Sequence, residues 1–156
     1  MTDAKARLRK DMTTSMKARD ALTTGTLRML LAAVQAEEVA GKVARELSDE
    51  EVLKVFAKEA KKRAEAAQLF DDASRPELAD KERAEGVVIA AYLPAPLDDD
   101  AVAALVAEAM AEVQAQTGEA PGMRQMGQVM KAATARAAGG ADGTRISAIV
   151  RAKLAG

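Results

Sequence analysis

Apolar positions recur along most of the chain at spacings of three and four residues, and alternation by two is sustained nowhere. Leu8, Met12 and Met16 follow one another at i+4 with Lys5, Arg9, Lys10 and Lys17 between them, which predicts a helix over 3–20 with one narrow apolar stripe. Leu27, Leu30, Leu31 and Val34 share a face of a second helix, 22–40, with Arg28 beside that face and Gly41 placed to close it in a left-handed cap. In Leu47-Ser48-Asp49-Glu50-Glu51-Val52, Ser48 and Glu51 have the spacing of a capping box, and Leu47 can staple onto Val52. A third helix starts there and continues through Val55, Phe56, Ala60, Leu69 and Phe70. Pro76 suits the first position of a fourth, where its missing N–H costs nothing, with Leu78, Val88, Ile89 and Tyr92 following.

Leu93-Pro94-Ala95-Pro96 breaks the pattern, since neither proline donates a backbone hydrogen bond and each pushes its predecessor out of helical geometry. Beyond it Asp98 is an N-cap for a fifth helix carrying Val102, Leu105, Val106, Met110 and Val113, which Gly118 ends. Two shorter helices, 124–138 and 143–154, are separated by Gly139-Gly140, and Asp142 caps the second. The expectation is an all-α protein of seven helices in two subdomains: a four-helix N-terminal bundle over 1–93 and a three-helix unit over 97–156.

Composition restricts the chemistry. Hydrophobic residues make up 49% of the 156, but alanine supplies about half of them, so the core must be thin and closely packed. With no His and no Cys, the imidazole- and thiolate-based nucleophilic, zinc and redox sites are excluded, as are disulfides. Adjacent carboxylates such as Glu37-Glu38, Asp71-Asp72 and Asp98-Asp99-Asp100 point about 100° apart on a helix and converge poorly on one metal or one bond. No phosphate-cradle motif follows a strand. No catalytic residue, metal or cofactor is therefore assigned. The charged N-terminus lacks the apolar segment of a signal peptide and no run is long enough to span a bilayer, so the chain reads as soluble and cytoplasmic, without a membrane partner.

The net charge of −1 conceals an uneven distribution. Residues 1–19 carry a net +4, residues 93–123 six acids and no base, and residues 124–156 a net +5. In the last segment Arg124, Lys131, Arg136, Arg145, Arg151 and Lys153 lie on two helices that a five-residue turn must fold together, so several can share one face that binds phosphates. Two Phe, one Tyr and no Trp leave no platform for base stacking, so such binding would be led by backbone and shape. Gly139-Gly140-Ala141-Asp142-Gly143 reads either as a tight interhelical turn or as backbone N–H groups offered to a phosphate. Met123, Met126 and Met130 with Val129 read as small-core packing or as a recognition surface for partner helices. Gly127, helix-weakening where it stands, suggests a close approach to the backbone.

Several blocks in order resemble the YqeY-like family: Arg28-Met29-Leu30-Leu31-Ala32-Ala33-Val34 with Glu37-Glu38, the segments 46–53 and 61–63, Arg75-Pro76-Glu77-Leu78-Ala79-Asp80-Lys81-Glu82, Tyr92-Leu93-Pro94, Met126-Gly127-Gln128-Val129-Met130-Lys131 and Ala141-Asp142-Gly143. That family is related to the tail of the GatB subunit of tRNA-dependent amidotransferase, a helical appendage that helps hold tRNA. The resemblance implies an all-α protein with a GatB-tail-like unit over 97–156, partnered by tRNA or another structured RNA. It also implies contact positions at Gly127, Lys131, Gly143 and Arg145. Where this chain has Gln128 the commoner pattern has Lys, so one positive charge is missing. The family label is amidotransferase-like, a carbon-nitrogen ligase with glutamine as amide donor. These residues offer no glutaminase nucleophile, acyl-activation site or channel, so the isolated chain is expected to lack that catalysis. A second reading is a protein-interaction adaptor, with a groove between the N-terminal helices bordered by Arg28, Lys62 and Arg63 receiving an acidic or helical segment.

Overall fold

The computed structural model describes residues 2–156. They form α1 (Asp3–Lys17), α2 (Ala21–Val39), α3 (Asp49–Asp72), α4 (Pro76–Ala90), α5 (Asp99–Thr117), a 3-10 turn (Met123–Gln125), α6 (Met126–Ala137) and α7 (Gly143–Ala155). No strand occurs among the described residues, and none of their helices is long and apolar enough to cross a membrane. The protein is all-α, as its periodicity predicts. Two compact units emerge, one ending at Leu93 and the other comprising Pro94–Gly156.

In the first unit α1 packs chiefly on α2 and α3 on α4. Leu8, Leu27, Leu30, Val34, Leu47, Val52, Phe56 and Ile89 form its core, with Phe56 meeting Tyr92 edge-on at 5.8 Å between ring centroids. The capping box at α3 is formed: the Glu51 N–H donates to Ser48 Oγ at 3.3 Å and the Ser48 N–H to Glu51 Oε2 at 2.9 Å. Arg45 grips the same carboxylate with both guanidinium nitrogens, at 2.9 and 2.7 Å. Leu47 and Val52 are both buried, as the staple requires. Behind this helix start, buried Lys5 of α1 donates to Glu38 of α2 at 2.7 Å, and the Leu47 N–H donates to the same oxygen at 3.2 Å. Those two donors hold the Glu38 carboxyl below the usual carboxylate range.

Helix α1 ends earlier than the predicted residue 20, and α3 is closed by the same device. α1 stops at Lys17 because Arg19 enters the left-handed region at φ 58°, with the Asp20 N–H donating to Ser15 O and the Arg19 N–H to Met16 O, both near 3 Å. This is a Schellman closure built without glycine. Ser74 closes α3 in the same way at φ 57°, and in both cases the following residue, Asp20 or Arg75, is already the N-cap of the next helix. Gly41 does not close α2. That helix ends on Ala40 in ordinary right-handed geometry, and Gly41 has no positive φ. Leu69, predicted to continue the α3 stripe, is 69% exposed, and Met16 is 49% exposed at the end of α1.

In the second unit Val102, Leu105, Val106, Ala109 and Val113 of α5 meet Val129, Ala133 and Ala137 of α6 and Ile146 and Val150 of α7. Met126 and Met130 pack against this core and Met123 is exposed, so the methionine pattern is mainly packing. Gly118 ends α5 at φ 78°, and Asp98 and Asp142 cap α5 and α7 through their side chains. The predicted helix from 124 is a 3-10 turn until Met126, held by the Gly122 N–H donating to Gln125 Oε1 at 2.8 Å. Gly139 at φ 84° and Gly140 make the turn into α7. A Cβ on Gly140 would stand 2.8 Å from Leu97 Cγ and 3.2 Å from Ala137 O, where the Leu97 N–H also donates to Gly140 O at 2.7 Å. The tight-turn reading of this loop accounts for both glycines.

Phe56→Ala is expected to lower the unfolding free energy by about 3–5 kcal/mol through the cavity it leaves. Gly140→Ala is expected to lower it by about 1–3 kcal/mol through overpacking against Leu97; urea titrations measure both. Glu51 carries a pH signature, because Arg45 foremost and the Ser48 N–H lower its pKa from the usual 4.5 to about 2. Its folded-state value lies below its unfolded one, so its contribution is complete above pH 4.5 and fades as pH falls toward 2. The stabilities of wild type and Glu51→Gln should accordingly converge across that window.

Candidate nucleic-acid interface

The eight predicted RNA-contact positions all lie in the second unit, and the structure sorts the six cations among them into two groups. Arg136, in the last turn of α6, turns toward α5 and donates to Glu108 and Glu112, each at 3.0 Å. Arg145, in the first turn of α7, reaches Asp99 at the start of α5 at 2.9 Å, beside a shallow open groove floored by Ala103, Ala148 and Ile149. These two guanidiniums tie α6 and α7 to the acids of α5. The negative stretch 93–123 and the positive stretch 124–156 are in part charge partners within one unit.

Arg124, Lys131, Arg151 and Lys153 make no ion pair among the described residues, and all four are exposed. At about 100° per residue, Lys131 stands about 40° from Gly127 and about 140° from Arg136 around α6. Gly127 and Lys131 are therefore neighbours one turn apart, on a side that Arg136 does not share. Arg124 precedes them on the 3-10 turn, and exposed Gln128 lies beside Gly127. No acid occurs in the sequence between Glu119 and Asp142, so this ridge is of one sign. On α7, Arg151 and Lys153 lie about 160° apart around the helix and do not form a common face.

The glycines in the predicted interface have different surroundings. A Cβ added to Gly127 or to Gly143 would meet nothing within 4 Å, so neither is required by packing within the described chain. Gly143 opens α7, but the helix start there is occupied by the Asp142 carboxylate, which accepts the Arg145 N–H at 2.8 Å. An acid already holds the place a phosphate would take.

The three partner-side candidates diverge as well. Arg28 is exposed on α2 and meets only the Met16 sulfur, at 3.8 Å, with no acid partner among the described residues. Lys62 is exposed but paired with Glu59 at 2.8 Å. Arg63 is turned inward, 9% exposed, with Glu59 at 2.7 Å, Glu85 at 3.5 Å and the Met29 sulfur at 3.7 Å. Its Nε makes no hydrogen bond; at 3.5 Å Glu85 supplies Coulomb attraction rather than an aligned acceptor. Burial opposes the charge on Glu59, yet Lys62 and Arg63 hold that carboxyl below its usual range. Arg63 thus belongs to the α3–α4 packing and does not border an open groove.

One polar cluster is absent from the sequence expectations. Tyr92 donates to Asp11 Oδ2 at 2.5 Å, and the Arg7 guanidinium lies 4.5 Å from its ring centroid. Burial first, then the Asp11 carboxylate, raises the phenol pKa. The available signal was that this is the chain's single tyrosine, which needed a polar partner for its hydroxyl. Among the described residues no group of three or more acids is placed to hold a metal ion.

A protein of Meyerozyma guilliermondii named "Altered inheritance of mitochondria protein 41, mitochondrial" is 29% identical over 124 residues, which cover 78% of this chain and 64% of that protein. The chain thus aligns with just under two thirds of that relative's length. The family model described as "Yqey-like protein" matches residues 5–154, nearly the whole of both helical units. The chain belongs to the YqeY-like family.

Proposed function

We propose that the second unit binds structured RNA, tRNA in particular, and that the chain works as an accessory module related to tRNA-dependent amidotransferase, without catalysis of its own. The observation that carries this reading is the ridge of Arg124, Gly127, Gln128 and Lys131. It is single-signed, and its two cations are not neutralised by α5. Gly127 adds an exposed stretch of backbone with no side chain between Arg124 and Lys131, where a phosphodiester can approach the helix closely.

Arg136 and Arg145 serve in this reading as supports that hold α6 and α7 on α5, rather than as phosphate contacts. Arg151 and Lys153 contribute long-range attraction. The second unit has no aromatic residue, so recognition depends on phosphates and shape and weakens steeply with salt. The relation to amidotransferase rests on the likeness to the GatB tail.

Fluorescence titration with total tRNA at low and moderate salt tests the proposal. Wild type should bind with a clear salt dependence. Lys131→Glu and Arg124→Glu should each weaken binding and reduce the salt slope by about 1 or more. Arg136→Ala should leave affinity within about twofold and cost about 0–1 kcal/mol of stability, as expected of an exposed pair. Negligible binding at both salt concentrations, or equal loss from Arg136→Ala and Lys131→Glu, contradicts the reading.

A further inference from the structure

α2 has two apolar faces; one is buried in the fold, and of the other only the Met29 sulfur, 3.7 Å from the inward-turned Arg63, is engaged by it. Leu27, Leu30 and Val34 point into the core and are fully buried. On nearly the opposite side, Leu22, Gly25, Met29, Ala32, Ala36 and Val39 succeed one another at alternating spacings of three and four and are all exposed. Leu22 is 42%, Met29 40% and Val39 65% exposed, and a Cβ on Gly25 would meet nothing within 4 Å. A helix face turned to water is ordinarily charged or polar. Here an alternation of threes and fours runs the length of the helix with three larger side chains separated by small ones, the relief into which a second helix packs.

The charge along this face identifies the kind of partner. Arg28 is the one cation of α2, exposed beside Met29, with the Met16 sulfur as its contact and no carboxylate among the described residues, whereas the inward Arg63 that meets Met29 is already held by Glu59 and Glu85. α2 carries no acid between its N-cap Asp20, whose side chain is engaged by Thr23, and Glu37. A second copy of the chain is therefore a poor occupant. Antiparallel pairing about the middle of the seam would leave the two Arg28 side chains on one flank, about 8 Å apart along the axis at 1.5 Å per residue, and parallel pairing would set them on opposite flanks. Neither arrangement brings a carboxylate to Arg28, since α2 has no acid between Asp20 and Glu37.

We propose that the outward face of α2 is the docking surface for an amphipathic helix of a different protein, one with a carboxylate beside its apolar stripe. Leu22, Met29 and Val39 fit between that helix's apolar side chains, and Gly25, Ala32 and Ala36 receive them. The carboxylate pairs with Arg28 in place of the methionine sulfur. This surface lies on the first unit, and the proposal stands apart from the RNA reading of the second.

The probes are two synthetic helical peptides of three heptads with identical leucine and alanine seams, one flanked by Glu and the other by Lys. Amide NMR shifts map each peptide on the full chain, and fluorescence anisotropy gives affinities. The Glu peptide should shift amides in 21–40 and bind at least tenfold more tightly than the Lys peptide. Ala32→Asp, at an exposed position that leaves the core untouched, should abolish binding while the chain still unfolds cooperatively with only the small loss of stability expected from helix propensity. Arg28→Glu should invert the preference between the peptides. The proposal is overturned by equal binding of the two peptides, by no binding, or by shifts centred outside α2. It is overturned equally by sedimentation showing a wild-type dimer that Ala32→Asp dissociates, or by preferential binding to phosphatidylcholine–phosphatidylserine vesicles.

Discussion

Small interior side chains set the terms for the second unit, and an aliphatic core with one buried aromatic sets them for the first. The second unit's core is built from valines, alanines, one leucine and one isoleucine, and the first relies on a single fully buried aromatic, Phe56. Interiors of this kind fill only when helices approach closely, and they offer little bulk to fix one helix's register against the next. Polar contacts at the rim take over part of that role. Lys5 and the Leu47 N–H meet on Glu38, Arg63 lies between Glu59 and Glu85, and Arg136 spans Glu108 and Glu112. Each joins elements distant in sequence, or a helix to its neighbour, at the margin of a core too slight to do so alone.

The same rim contacts divide the cations by task. A basic segment in the linear sequence becomes, in three dimensions, two arginines engaged with the acids of α5 and four basic residues facing solvent. The ridge of α6 owes its single sign to geometry as much as to composition, since Arg136 is carried round to the other side of the helix. On α2 a complementary economy holds. The fold buries one apolar stripe and leaves the other outward, touched only at Met29 by Arg63 and with Arg28 at its edge.

Most of the fold was legible in the sequence because its signals are local. Ser48 with Glu51, Pro76, Asp98, Gly118 and Asp142 each act within one helical turn, and each stands where expected. Arg19 and Ser74 were not legible as helix ends, because nothing in an arginine or a serine announces a left-handed residue. The conformation is imposed by closing hydrogen bonds and by the next helix starting at once. Gly41 misled for the converse reason, since glycine permits a left-handed cap without requiring one. Which basic residues would be neutralised was also hidden, because Arg136 and Arg145 find their acids 24 to 46 positions away. The outward seam of α2 was present in the spacing, but the deeper stripe of Leu27, Leu30 and Val34 drew the periodicity argument to itself.

Tyr92, held between Asp11 and Arg7 at the close of the first unit, is the chain's lone tyrosine, and tryptophan is absent. Near-ultraviolet absorption and intrinsic emission therefore originate almost wholly from one half of the molecule. The helices from Pro94 onward, which contain no aromatic ring, are optically silent at those wavelengths. The protein carries its own local gauge for the N-terminal half, and any event in the other half must be followed by amide signals or by an added dye.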